Sequence, residues 1–278
     1  GRDDILEVQY VFCHDQEPVD ITLYGDLFET VKQKNADIHK WRNYPTTYGH
    51  VVVSEKGENV AQLSNMYGCK THYYFYHGWA CQDWYRGYDK TFLIQPWDER
   101  TPTRTFIAPN RIIAGERKHR LEMLYWIFKL GLTNNHISCP TVCPAEGISI
   151  YDAVRPLQEL YPDVDSVFRS APLPMQYAGE SDHPMHSCWL SLFDESADSL
   201  LYLVTETVAT GRRHHITEKT FKPIAMGMPF VLVATAGSLE YLRSYGFKTF
   251  GHLWDESYDT VEDPHERIRA VASLLETL

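Results

Sequence analysis

The apolar positions of the chain change period several times, and each change predicts an element. Val8 to Cys13 reads as a β run. Helical spacing follows from Asp20 through Lys34, and His50 to Ser54 is a short β-branched run. Gly57 to Tyr67 has helical spacing up to Gly68, and Thr71 to Tyr76 is aromatic and β-prone. The polar, proline-bearing stretch Gln95 to Arg104 then reads as a linker. Beyond it the alternation restarts with a strand at Thr105 to Ala108 and an amphipathic helix from Arg117 to Leu130, ending at Gly131. Helical pattern returns from Ile150 to Tyr161 and again after His183. Leu200 to Val208 reads as a strand, Thr217 to Gly227 as a helix, and Pro229 to Ala234 as a wholly apolar strand. Gly237 to Tyr245 and Pro264 to the last residue complete the helices.

Strand and helix alternate on both sides of the linker, which predicts an α/β fold with parallel sheets. Two Rossmann-like domains facing a cleft fit this order, with residues 1–100 as an acceptor-side domain and 101–278 as a donor-binding domain. In such folds ligands sit at the carboxyl ends of the strands, where loops lead into helices. No apolar run is long enough to span a bilayer and none resembles a leader, so a cytoplasmic protein is expected. The six cysteines are scattered, and only Cys139 and Cys143 lie close together. That spacing lacks a second Cys/His pair, so buried reduced thiols are expected instead of a structural metal.

Charge sharpens the picture. The net charge of −11 weighs against a general polyanion binder. Two basic islands nevertheless stand out. Arg104, Arg111, Arg117, Lys118 and Arg120 face only Glu116, and Arg212, Arg213, Lys219 and Lys222 face only Glu218. Paired basic islands in an acidic chain point to a confined anion such as a nucleoside diphosphate. Thr217 is placed to cap the helix that follows, so the first backbone N–H groups form an anion site. Glu218 would accept from ribose hydroxyls and Lys219 would pair with a phosphate. Glu206, at a strand end, is expected to face the ligand.

Thr217-Glu218-Lys219, followed by a helix, a glycine and the strand Pro229 to Val233, resembles the donor-binding signature of fucosyltransferase-like and exostosin-like enzymes of the GT-B fold. The stretch from Gly237 to Phe250, with Trp254 to Asp259, is similar to glycosyltransferase-like proteins of marine phages and bacteria. The resemblance implies a transferase that uses a nucleotide-diphosphate sugar. It assigns Glu218 to the donor ribose, Lys219 to the diphosphate, and either Arg111 or Arg120 to the leaving group.

Sugar transfer builds negative charge on the departing diphosphate, and Lys, Arg and helix N-termini stabilise it where no metal does. The one Asp-x-Asp string, Asp163 to Asp165, reads as a turn or cap, so neither a metal nor another cofactor is expected. An inverting transfer needs a base for the acceptor hydroxyl. Asp15 or Glu17, just beyond the first strand, fits that role, with His14 behind them. His77, Trp79 and Asp83 lie in an aromatic and polar segment suited to a saccharide or other hydroxyl acceptor. Two alternatives stay open: transfer to hydroxymethylated pyrimidines in phage DNA, and a catalytically silent nucleotide- or sugar-binding module. Gly-x-Gly-x-x-Gly, Walker and Gly-x-Ser-x-Gly motifs are all missing from the chain.

Overall fold

A computed structural model describes residues 11–14, 17–21, 29–30, 33, 49–81, 99–175 and 190–278. It is an α/β protein with two parallel sheets, and the chain divides into two compact units. Unit 1 is residues 1–80 with Arg212–His215, and unit 2 is residues 81–211 with 216–278. Among the described residues no helix is long and apolar enough to cross a membrane.

Unit 1 holds a three-stranded parallel sheet in the order β1 (Val11–His14), β2 (His50–Val53), β4 (Lys70–Tyr73). The period-2 pattern of β2 turns Val51 and Val53 into a core with Val19, Leu63 and Cys69. Helix α1 (Glu58–Tyr67) contributes Leu63 and ends at Gly68, whose φ of 63° makes the left-handed turn that stops a helix. Two features were not visible in the pattern. A one-turn helix, α2 (Tyr76–Ala80), begins at the last residue of the expected β-prone run, whose strand ends at Tyr73. A two-residue strand β3 (Lys56–Gly57) pairs antiparallel with β8 (Arg213–His214).

That pairing requires glycine. A Cβ at Gly57 would lie 2.4 Å from the Arg212 carbonyl oxygen, and its φ of 142° suits no L side chain. Gly57→Ala is therefore expected to lower stability by about 2 kcal/mol, read as a shift of the urea midpoint at unchanged slope.

Unit 2 is built on a four-stranded parallel sheet in the order β6 (His136–Ile137), β5 (Arg104–Ala108), β7 (Ser199–Thr205), β9 (Phe230–Val233). Every residue of β9 is buried, as its unbroken apolar run requires. Helices α3 (Lys118–Lys129), α4 (Ile150–Ala153), α5 (Val164–Ser170), α6 (Phe193–Ala197), α7 (Glu218–Ala225), α8 (Ser238–Ser244) and α9 (Pro264–Thr277) complete the described unit. The helix expected from Ile150 to Tyr161 is broken: α4 stops at Ala153 and a 3-10 segment, Arg155–Glu159, replaces its continuation. Pro156 lacks the N–H that the helix would need there. The strand expected to reach Val208 ends at Thr205, and Asp163 occupies the N-cap position of α5, as its turn character predicted.

Buried polar groups fasten the carboxyl ends of the strands. Arg267 of α9 donates from Nε to the Ala234 carbonyl at 2.8 Å and from Nη2 to the Ala209 carbonyl at 2.6 Å, while Nη1 reaches Val261. Asp259 accepts from the first-turn amides of α8, Leu239 at 3.0 Å and Glu240 at 3.3 Å. Both residues are almost fully buried, and burial lowers the Arg267 pKa and raises that of Asp259.

Candidate functional site

The strand order of unit 2 changes direction between β5 and β7. From β5 the chain moves to β6 on one side, and from β7 it moves to β9 on the other. The neighbours β5 and β7 therefore flank a topological switch point, the position at which open α/β sheets commonly bind ligands. Asn110 and Arg111 follow β5, and Glu206 and Thr207 follow β7. The two loops are joined by Thr205 Oγ1 donating to Asn110 Oδ1 at 2.7 Å. Helix α7, which follows β7 and β8 in the chain, brings its N-terminus to the same place.

Glu206 makes that junction. Its carboxylate is completely buried and accepts from four donors. Oε1 takes the Thr217 amide at 2.9 Å and the Thr220 hydroxyl at 2.6 Å. Oε2 takes the Thr217 hydroxyl at 2.6 Å and the Thr207 amide at 3.2 Å. Thr217 caps α7 as its sequence position predicted, with Oγ1 accepting from the Lys219 amide at 3.4 Å. The carboxylate is thus an internal fastening between the end of β7 and the start of α7. Glu206, expected to face the ligand, has both carboxylate oxygens engaged by the protein's own donors.

The same holds for Arg120. It is 4% exposed and donates to the carbonyls of Ile112 at 2.7 Å, Thr205 at 3.2 Å and Glu206 at 3.3 Å. His119, its neighbour on α3, donates from Nε2 to the Glu206 carbonyl at 2.8 Å. Since a carbonyl can only accept, this bond fixes the proton on Nε2. Burial, with the Arg120 charge beside it, pushes the His119 pKa down to about 3. Burial also lowers Arg120 to about 10, with Arg117 adding to the shift and the carboxylates of Glu206 and Glu218 opposing it. Arg120 thus holds the β7 end from within, and its basic character is directed at backbone oxygens.

What faces outward is Lys219. Its side chain is 30% exposed, and Nζ lies 2.7 Å from Glu218 Oε1, 3.2 Å from Thr217 Oγ1 and 3.3 Å from Thr207 Oγ1. A cation, two hydroxyls and the first amides of a helix are gathered at the switch point, with the Glu218 carboxylate, 8% exposed, against the cation. Arg111 and Lys222 are both half-buried. Helix α7 stays short because Pro223 withholds one amide and Gly227, at φ 66°, ends the turn.

In unit 1, His77 is buried, with its ring edge-on to Tyr76 at 5.1 Å and to His215 at 5.4 Å. Ser54, at the carboxyl end of β2, lies 3.5 Å from His215 Nδ1. Glu17 is exposed. Asp15, Asp83 and the side chains of His14 and Trp79 lie outside the described residues. Among the participants that escaped the sequence reading are His119, Asn110, Thr220 and Glu55. His119 and Asn110 act on Glu206 and Thr205 at the end of β7, and Glu55 is paired with a residue 158 positions away. No local spacing announces such partners.

A search of protein-family models, curated proteins and solved structures finds no match to the chain.

Proposed function

We propose that the chain is a glycosyltransferase of GT-B-like build, two Rossmann-like domains facing a cleft, that uses a nucleotide-diphosphate sugar. The observation that carries this reading is the half-buried Lys219 at the capped start of α7, between two threonine hydroxyls at the switch point of a parallel sheet. Such a place suits a diphosphate: the amides and the ammonium oppose the negative charge that grows as the sugar departs. Glu218 is then positioned for the ribose hydroxyls, and Arg111 for a second phosphate contact. Glu206, Thr220, His119 and Arg120 hold the frame and leave ligand contact to others.

In the transfer, the acceptor hydroxyl gives its proton to a carboxylate, Asp15 or Glu17, and its oxygen bonds to the anomeric carbon. The bond from that carbon to the diphosphate oxygen breaks, and its electron pair leaves with the nucleoside diphosphate. Attack opposite the leaving group inverts the centre, and the protein's own cations do the stabilising that a metal does elsewhere.

The test is a thermal-shift panel of UDP, GDP, CMP, ADP, TDP and inorganic diphosphate on the wild type and on Lys219→Ala. At about a hundredfold its Kd, a true ligand adds roughly 2.7 kcal/mol. One nucleoside diphosphate should raise the melting temperature of the wild type and leave Lys219→Ala nearly unmoved. Silence across the panel with both proteins folded sinks the reading. If binding is present but Asp15→Asn and Glu17→Gln leave turnover intact, the assignment of the base fails while the donor site stands.

A further inference from the structure

Helix α7 is entered from a strap, Arg212–His215, that belongs to unit 1. The strap is fixed there along its length. The Glu58 amide donates to the Arg212 carbonyl at 3.2 Å, β8 pairs with β3, and the His215 ring meets Ser54 and His77. Its strongest hold is Arg213, whose Nη2 donates to Glu55 Oε2 at 2.7 Å and to the Val19 carbonyl at 3.2 Å. The Glu55 side chain is completely buried, and its Oε2 also accepts the Val19 amide at 2.8 Å. A charge pair withdrawn from water in this way resists the loss of either partner, because the other would remain buried and uncompensated.

Only His214, His215 and Ile216 stand between Arg213 and Thr217, so the two anchored residues are at most about 14 Å apart along the chain. At the far end of that stretch Glu206 holds both the amide and the hydroxyl of Thr217. A connection this short, secured at both ends, leaves the cap of α7 few alternative directions.

We infer that Glu55 and Arg213 are positioning residues for the anion site at the start of α7. Their ion pair fixes the strap that delivers Thr217, and so fixes how the first-turn amides and Lys219 are presented. Arg213, one of the cations of the second basic island, acts on the ligand only through this strap. The consequence for affinity rests on the nucleotide reading above; the consequence for the order of the helix does not.

The experiment is amide hydrogen exchange on wild type, Arg213→Ala and Arg213→Lys, followed by the same nucleotide titration. In Arg213→Ala, exchange at Lys219 and Thr220 should accelerate by roughly tenfold or more, while the β7 and β9 amides keep their protection. Arg213→Lys keeps the charge opposite Glu55 and should fall between the two. The nucleoside diphosphate that stabilises the wild type should bind Arg213→Ala about tenfold more weakly. Should Val51 and Val53 also lose protection in Arg213→Ala, the comparison is made on Arg213→Lys, whose smaller effect must still appear at Lys219. Unchanged exchange at Lys219 and Thr220 with unit 1 folded overturns the inference. Accelerated exchange with no nucleotide bound by any variant keeps the strap and rejects the nucleotide.

Discussion

Replacing Glu206 by alanine is expected to cost about 4 kcal/mol of stability, a large part of what holds a typical domain folded. The substitution strands four donors at once: the amides of Thr207 and Thr217 and the hydroxyls of Thr217 and Thr220. Three of these groups belong to buried residues, where water cannot readily replace the carboxylate. It also leaves the Arg120 guanidinium without one of the two carboxylates that oppose its loss of charge. Urea melts of Glu206→Ala, Thr220→Val and the double variant supply the measurement. In the wild type Thr220→Val removes a hydrogen bond to a buried charge, whereas in Glu206→Ala it removes a hydroxyl with nothing to bond. The second change should therefore be much milder in the Glu206→Ala background, with a coupling of about 1–2 kcal/mol. Additive losses, or a loss under about 1 kcal/mol for Glu206→Ala, would mean that the carboxylate does not fasten β7 to α7.

Acid is expected to unfold unit 2 through His119. In the folded protein its pKa is pushed down to about 3, whereas a histidine of an unfolded chain titrates near its ordinary 6.5. Between these values the unfolded chain carries the proton and the folded one does not. The unfolded state thus binds more protons, and stability falls as the pH falls. The slope over that window is about 1.4 kcal/mol per pH unit from this one residue. Above about pH 6.5 the group adds no pH dependence. The substitution His119→Gln keeps an N–H near the Nε2 position for the Glu206 carbonyl, but an amide side chain has no proton to gain. Urea midpoints of wild type and His119→Gln between about pH 7 and pH 4 should diverge, with the variant losing less on the acid side. Parallel curves would show that the imidazole is reached by protons without unfolding.

The parts of the fold that could be read from the sequence are those governed by neighbours along the chain. The apolar run of β9, the cap at Thr217 and the stop at Gly227 each depend on residues within a turn of one another, and each stands where expected. The strand order of unit 2 and the β3–β8 pair depend on contacts between distant segments, for which the chain carries no local mark. That Thr217 starts a helix beside a cluster of charged residues was legible; how those residues divide their partners was not. Lys219, Arg120 and Arg213 look alike as cations in a basic island. One is half-buried among hydroxyls, one is buried among carbonyls, and one is closed on a buried carboxylate. Charge counts cannot separate these fates, because a guanidinium has enough donors to be satisfied wholly from within. Glu206 shows the same limit from the acidic side: its place at the strand end was correct, and its four internal donors were not visible.

The interrupted make-up of unit 1 has a consequence for how the protein can be synthesised or dissected. Its final strand, β8, leaves the ribosome only after the whole stretch 81–211 has been made. Until then Lys56 and Gly57 lack their antiparallel partner, and the Glu55 carboxylate awaits Arg213. A nascent chain that has reached only residue 80 is therefore incomplete in charge as well as in hydrogen bonding. A fragment cut at residue 80 inherits the same defect, and a faithful excision of this half has to graft Arg212–His215 onto its end.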